Sequence, residues 1–230
     1  MRQNKGLSNN LDRETHMQTA LIWGADGDIG RVLVDTLRKN GWRVLGIARG
    51  AAALSNMGIE SYSAELSCEA DVAAAALWAA QQSEGAVNLW VYTAGDIGDV
   101  VYKSLAKTTA SEWERIFGAN VTGAHLAVAH SLALVPSGGH LVFIGAYVDR
   151  IALLKLGAYA ASKAALDAYV TALAKEVRDR CVTNVRVGNV RVGAVDTPLW
   201  REVPFRLSPF DVADAVLRAY AEGHKGNLDL

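Results

Sequence analysis

The chain has 230 residues, 51% of them hydrophobic and 20% charged, with 23 basic side chains against 24 acidic ones and a formal net charge of −1. That length and apolar content suffice for one large core and favour a single α/β domain over two small ones. The near-neutral balance gives no electrostatic footprint for nucleic acid or an anionic membrane, no apolar run reaches the roughly 18 residues of a membrane span, and neither the five histidines nor Cys68 and Cys181 show metal-ligand spacing.

Residues 1–16, MRQNKGLSNNLDRETH, are polar and lack the apolar stretch of a signal peptide. They are expected to form a flexible extension ahead of one domain over 17–230, in a reduced, cytoplasmic protein without a metal. TALIWG (19–24) is a short apolar run ended by glycine, the pattern of a strand buried on both faces. Asp28 to Asn40 reads as a helix, with Ile29, Val32, Leu33 and Leu37 on one stripe and Gly41 as its stop. RVLGIA (43–48) and IESYSAEL (59–66) read as strands, roughly 69–83 as an Ala-rich helix, and VNLWVYTAG (87–95) as the next strand. A helix from about Ser111 to Val135 precedes the strand HLVFIGA (140–146), and one from about Gly157 to Arg180 precedes VTNVRVGNV (182–190). Ser208, before Pro209 at the first helical position, is the expected N-cap of a last helix ending at Glu222, and NLDL (227–230) closes the chain. Strand–helix alternation of this kind predicts a Rossmann-type, doubly wound parallel sheet with helices on both faces. Ligands in such folds sit beyond the carboxyl ends of the strands.

Two features fall at those ends. WGADGDIG (23–30) joins the first strand to the first helix, with Gly24, Gly27 and Gly30 three apart. Glycines there permit a tight turn, close approach of backbone to a pyrophosphate and close helix–strand packing, and the helix N-terminus beyond offers free N–H groups to phosphates. The second feature is Tyr159 with Lys163 in GAYAASKAALDAYVTALAKEV. Four apart on a helix, their side chains share a face. An ammonium beside a phenol is expected to lower its pKa from the free value of ~10, so that Tyr159 can exchange a proton with a substrate oxygen near neutral pH.

With these motifs in this order, the chain resembles the short-chain dehydrogenase/reductase family over residues 19–230. The family's TGxxxGxG loop is met by Gly24 and Gly30, with Trp23 in place of the threonine and Asp28 in place of the middle glycine; Gly27 is expected to supply the flexibility, and Asp26 or Asp28 to cap the helix. YTAG (92–95) keeps only Ala94 and Gly95 of the NNAG motif, and Glu65–Leu66 stands where an acidic–apolar pair meets the adenine. Asn120, in SEWERIFGANVTGAHL, matches the asparagine that helps hold a water-linked proton relay. In VRVGNVRVGAVDTPL (185–199), Val192 has replaced a proline, while Gly193, Val195, Thr197 and Pro198 of the segment over the nicotinamide remain. The resemblance therefore implies a cofactor site of Gly24, Asp26, Gly27, Asp28, Ile29, Gly30, Arg49, Glu65, Leu66, Ala94, Gly95, Tyr159, Lys163, Gly193, Val195 and Thr197.

After the second strand, Ala48 stands at the position of an NAD-selecting acid and Arg49 follows it, which favours NADP(H) over NAD(H), because arginine accepts a 2′-phosphate through its fork of donors. Asp26 counts the other way if its carboxylate faces the same pocket. The sharpest departure is Ala146, thirteen positions before Tyr159, where the family carries its catalytic serine. Loss of a donor aimed at a developing oxyanion costs about 10²–10³ in rate. Either a neighbour such as Tyr147 or Thr93 replaces it, or the enzyme is slow or takes an unusual substrate, or the chain binds dinucleotide without turnover. Retention of Asn120, Tyr159 and Lys163 together favours chemistry: an NADP(H)-dependent carbonyl/alcohol oxidoreductase acting on a small molecule. The alternative is a catalytically silent regulatory or scaffold protein. The segment WREVPFRL (200–207) leaves a short lid, in which Trp200 and Phe205 either line an open substrate pocket with Tyr147 or pack on the last helix. The long helices at 111–135 and 157–180 imply, by resemblance, a homodimer or homotetramer.

Overall fold

The computed structural model describes residues 17–98, 104–148, 156–179, 184–196 and 206–230. Within them seven strands, β1 (Thr19–Trp23), β2 (Arg43–Ala48), β3 (Glu60–Ser63), β4 (Leu89–Tyr92), β5 (His140–Ala146), β6 (Arg186–Val192) and β7 (Gly226–Asp229), form one sheet in the order β3-β2-β1-β4-β5-β6-β7. Every neighbouring pair is parallel. The described part of the chain is thus a single doubly wound Rossmann-type domain. Residues 1–16, expected as an extension, lie outside the described residues.

Burial on both faces explains why the central strands read as continuous apolar runs. Along β1, Leu21 and Trp23 enter one apolar layer while Ala20 and Ile22 enter the other. The first layer is completed by α3 (Glu69–Gln82), α5 (Gly123–Ser131) and α6 (Gly157–Asp179), which contribute Val72, Ala127 and Leu166 among others. The second is completed by α1 (Asp28–Lys39) and α7 (Pro209–Glu222), through Leu33, Leu37, Val212 and Val216. The helix caps follow their chemistry. Ser208 and Asp211 form a capping box with Pro209 at the start of α7, and Gly41, with φ of 79°, follows the end of α1.

Five elements differ from expectation. A short helix, α2 (Ala51–Asn56), follows β2 and buries Ala51 and Leu54; six residues are too few for a helical period to stand out in the sequence. The expected helix over 111–135 is broken into α4 (Ala110–Phe117), a π turn (Gly118–Thr122), α5 and a closing 3₁₀ turn (Leu132–Leu134). The start of α4 is fixed by a capping box between Thr109 and Glu112. β6 runs four residues later in its start than 182–190 suggests, and β3 and β4 are shorter than their apolar runs.

The strand order reverses between β1 and β4. Their outgoing loops diverge to opposite faces and leave a crevice at the carboxyl ends, as the topological rule requires.

Candidate active site

The crevice holds a cleft of about 440 Å³, within the range of small-molecule sites. It is lined from β1–α1 by Gly24, Asp26, Gly27, Asp28 and Ile29, from the ends of β2 and β3 by Arg49, Glu65 and Leu66, and from β4 by Ala94 and Gly95. Tyr159 and Lys163 of α6 and Gly193 and Val195 beyond β6 close the other side.

The glycine loop is shaped by contact distances. Gly24 has φ of 88°, and a Cβ there would stand 2.5 Å from the backbone nitrogen of Ala94. A Cβ on Gly30 would overlap the carbonyl oxygen of Gly24, so the first turn of α1 sits directly on the loop. Gly27 differs: with φ of −71° it needs no special backbone freedom, and a Cβ would meet only the Gly24 oxygen at 3.5 Å, an ordinary contact. It is exposed and opens toward the cleft, so the expectation that Gly27 supplies missing flexibility is corrected. Helix capping by the acids is corrected too. Gly27 is the N-cap of α1, with no side-chain cap. Asp28 lies in the first turn, where its charge favours the positive end of the helix dipole. Asp26 turns instead toward the end of β2, where its Oδ2 accepts the Gly50 N–H at 2.9 Å.

Across the cleft, Asn120 is fully buried inside the π turn. Single π turns recur at functional sites because they re-aim one residue within a helix. Its Oδ1 accepts the Asp96 N–H at 2.7 Å, and its Nδ2 donates to the Asp96 carbonyl and to Ser162 Oγ, both at 2.8 Å. Ser162 in turn donates to the Tyr159 carbonyl at 2.7 Å. This chain ties the loop after β4 to the first turn of α6. A role for the Asn120 amide in anchoring a water is thereby narrowed to the second lone pair of Oδ1, since both amide protons are engaged.

Lys163, 5% exposed, donates to the Ile144 carbonyl at 3.0 Å, and its Nζ lies 5.8 Å from the centroid of the Tyr159 ring. Burial pushes its ammonium down to about 8, against the opposing charge of Asp167. Burial also pushes the Tyr159 phenol up to about 12. The expected lowering of the phenol pKa is therefore reversed: desolvation disfavours the phenolate more than an ammonium at this distance favours it.

Gly145 and Ala146 end β5, with Ala146 at the position of the family's serine. A Cβ on Gly145 would lie 2.5 Å from Asn189 Oδ1, because Asn189 reaches across to Asp167 and Asn227. Ala146 is buried and brings no hydroxyl. Of the two suggested replacements, Thr93 is engaged: its single proton is shared between the Trp23 and Gly24 carbonyls, at 3.0 and 2.9 Å. Tyr147 lays its hydroxyl against Gly193, where a Cβ would overlap it. Thr197, Trp200 and Phe205 lie outside the described residues.

Arg191 of β6 is held between Asp167 (3.0 Å) and Asp229 (2.6 Å), 8% exposed. The sequence reading missed Ser162, Asp96 and Asp167. Ser162 directly precedes Lys163 and Asp167 follows it by one helical turn, so the spacing on α6 was the available signal; Asp96 is placed by tertiary contact alone.

Among curated proteins, a short-chain type dehydrogenase/reductase of Picea abies is 28% identical over 204 residues, covering 80% of this chain and 72% of that protein. Among solved structures, a short-chain dehydrogenase/reductase from Serratia marcescens superposes with a TM-score of 0.81 at 20% identity, over 93% of this chain and 96% of its own. The crystal structure of BdcA in complex with NADPH gives 0.78 at 23% identity, over 92% and 93%. The short chain dehydrogenase family model matches residues 18–206. A glycine-shaped loop at the sheet's reversal point, an α6 that carries tyrosine and lysine into the same cleft, and this match over most of the chain place the protein in the short-chain dehydrogenase family.

Proposed function

We propose that this protein is an NADP(H)-dependent oxidoreductase that interconverts a carbonyl and an alcohol on a small molecule, with Tyr159 passing the proton. The observation that carries the reading is the convergence of Tyr159 and Lys163 on the same cleft as the Gly24–Gly30 loop. The residues fit a nicotinamide dinucleotide. Gly24 admits no side chain, Gly27 leaves open space above the first turn of α1, and the α1 N–H groups face that space. Arg49, with a side chain 77% exposed, stands at the end of β2 where a 2′-phosphate is met, and the related BdcA structure contains NADPH.

A bound dinucleotide supplies or takes the hydride. Tyr159, kept protonated by burial, donates to the substrate oxygen as charge develops on it in the reducing direction. Lys163, still largely cationic at neutral pH, offsets the phenolate left behind. Asn120 fixes the geometry by tying Gly95–Asp96 to the turn that bears Tyr159. Ala146 offers no hydrogen bond; the Tyr147 hydroxyl lies against Gly193, a residue of the cleft wall, and is the nearest group that this reading can assign as a donor in its place. The same reading carries a cytoplasmic homodimer or homotetramer. The assembly is supported by Trp113, 39% exposed and stacked on Phe117, and by a groove of about 430 Å³ between α5 and α6.

A panel of ketones and aldehydes with NADPH tests the reading. The wild type should oxidise NADPH with at least one of them, and Tyr159→Phe should lose about 10²–10⁴ in kcat while still binding NADPH. Turnover that survives in Tyr159→Phe sinks the mechanism. Binding without turnover across the panel favours the second reading, a silent dinucleotide-binding protein, which the missing hydroxyl at Ala146 motivates.

A further inference from the structure

We propose that Asp26 is a specificity-determining residue that opposes Arg49 in the choice between the two dinucleotides. The inference rests on the reading of the cleft as a dinucleotide site. Asp26 is not a surface acid free to swing away. Its carbonyl accepts the Arg31 Nε–H at 2.7 Å and its Oδ2 accepts the Gly50 N–H at 2.9 Å, so the residue is fixed at both ends. A Cβ on Gly50 would lie 2.8 Å from that carboxylate oxygen, which shows how closely it is seated against the chain leaving β2. Asp26 is half-buried and lines the cleft beside Arg49.

The carboxylate thus reaches the end of β2 from the neighbouring loop, although Ala48 at the end of that strand brings no acid. A ribose 2′-hydroxyl can donate a hydrogen bond to such a carboxylate. A 2′-phosphate, with a charge of about −2 near neutral pH, is repelled by it and finds the Gly50 N–H already engaged. Arg49 acts in the opposite sense, but its guanidinium is shared: Glu65 Oε2 lies 3.8 Å from one of its nitrogens. Preference for NADP(H) is therefore the residue of two opposed terms, and removing the Asp26 charge releases the Arg49 term.

Equilibrium binding of NADPH and of NADH, read by nucleotide fluorescence at one fixed ionic strength, tests this on the wild type, Asp26→Asn and Arg49→Gln. Asparagine keeps an acceptor for the Gly50 N–H and removes only the charge. Asp26→Asn should tighten NADPH by about three- to fivefold, the scale of one partly screened charge, and weaken NADH, whose 2′-hydroxyl loses a charged acceptor. Arg49→Gln should weaken NADPH by a similar factor. If Asp26→Asn shifts both nucleotides alike, or neither, Asp26 is a tie between loops and the proposal is overturned. Should Asp26→Asn not fold, Asp26→Ser carries the same comparison. A wild type that binds neither nucleotide overturns the reading of the cleft itself, and this inference with it.

Discussion

The two walls of the cleft are built by different forces. The β1–α1 wall is steric: Gly24 and Gly30 are there because backbone from the segment after β4 and from the loop itself fills the space a side chain would need. The β5–α6 wall is polar and buried: Asn120, Ser162 and Lys163 are each almost or fully excluded from solvent and each has a hydrogen-bond partner. A steric wall responds to volume and is indifferent to pH. A polar wall responds to charge state and to every lost partner.

The comparison is broken most severely by Gly24→Ala. A methyl 2.5 Å from the Ala94 nitrogen, on a backbone at φ of 88°, combines overpacking with left-handed strain. The expected loss is about 3 kcal/mol or more in chemical denaturation, and it should be the same at pH 6 and pH 9. The opposite signature is expected on the polar wall from Lys163→Met. Lys163 has a folded pKa of about 8 against a free value of 10.5. Between those values the unfolded chain binds the proton and the folded chain does not, so wild-type stability gains a contribution as pH rises from about 8 to 10.5. That contribution, about 3–4 kcal/mol, should be absent from Lys163→Met when the two unfolding curves are subtracted across that window. Asn120→Ala should cost about 2 kcal/mol, because it leaves the Asp96 N–H and carbonyl and the Ser162 hydroxyl without their partner. Hydrogen exchange at Asp96 should rise with it. Smallest is Gly27→Ala, expected within about 0.5 kcal/mol of wild type since its Cβ meets nothing closer than 3.5 Å. A loss of dinucleotide binding without a loss of stability would mark the open side of that glycine as the phosphate approach.

Much of the fold was legible in order. Buried runs such as TALIW and HLVFIGA announced strands, Ser208–Pro209 announced a cap, and the alternation announced a parallel sheet. The break in the helix around Asn120 was not legible, because GANVTGAHL keeps its apolar content through the π turn and periodicity does not register one inserted residue. Nothing in HLVFIGA tells that Asn189 from β6 fills the space a side chain at Gly145 would occupy. Asp26 was read as a cap or a repelling charge; its direction depends on Gly50, twenty-four residues away. The Tyr159 pKa was misread for a related reason. Spacing on a helix brings two groups together but says nothing of how much water the folded protein removes from them.

The sequence by itself determined what is local or periodic: the succession of strands and helices, the glycine loop at its place after β1, and Tyr159 with Lys163 on one face of α6. These follow from apolar spacing, backbone freedom and helix geometry, all properties of neighbouring residues. Only the tertiary structure decided what each polar group faces. It turned Asp26 to Gly50 rather than to the helix, engaged Thr93, left the Tyr147 hydroxyl against Gly193, buried Lys163, and set Tyr159 half-buried in the wall of the cleft. Hydrogen bonds across the sheet and desolvation depend on elements far apart in the chain, and they act only once those elements have packed.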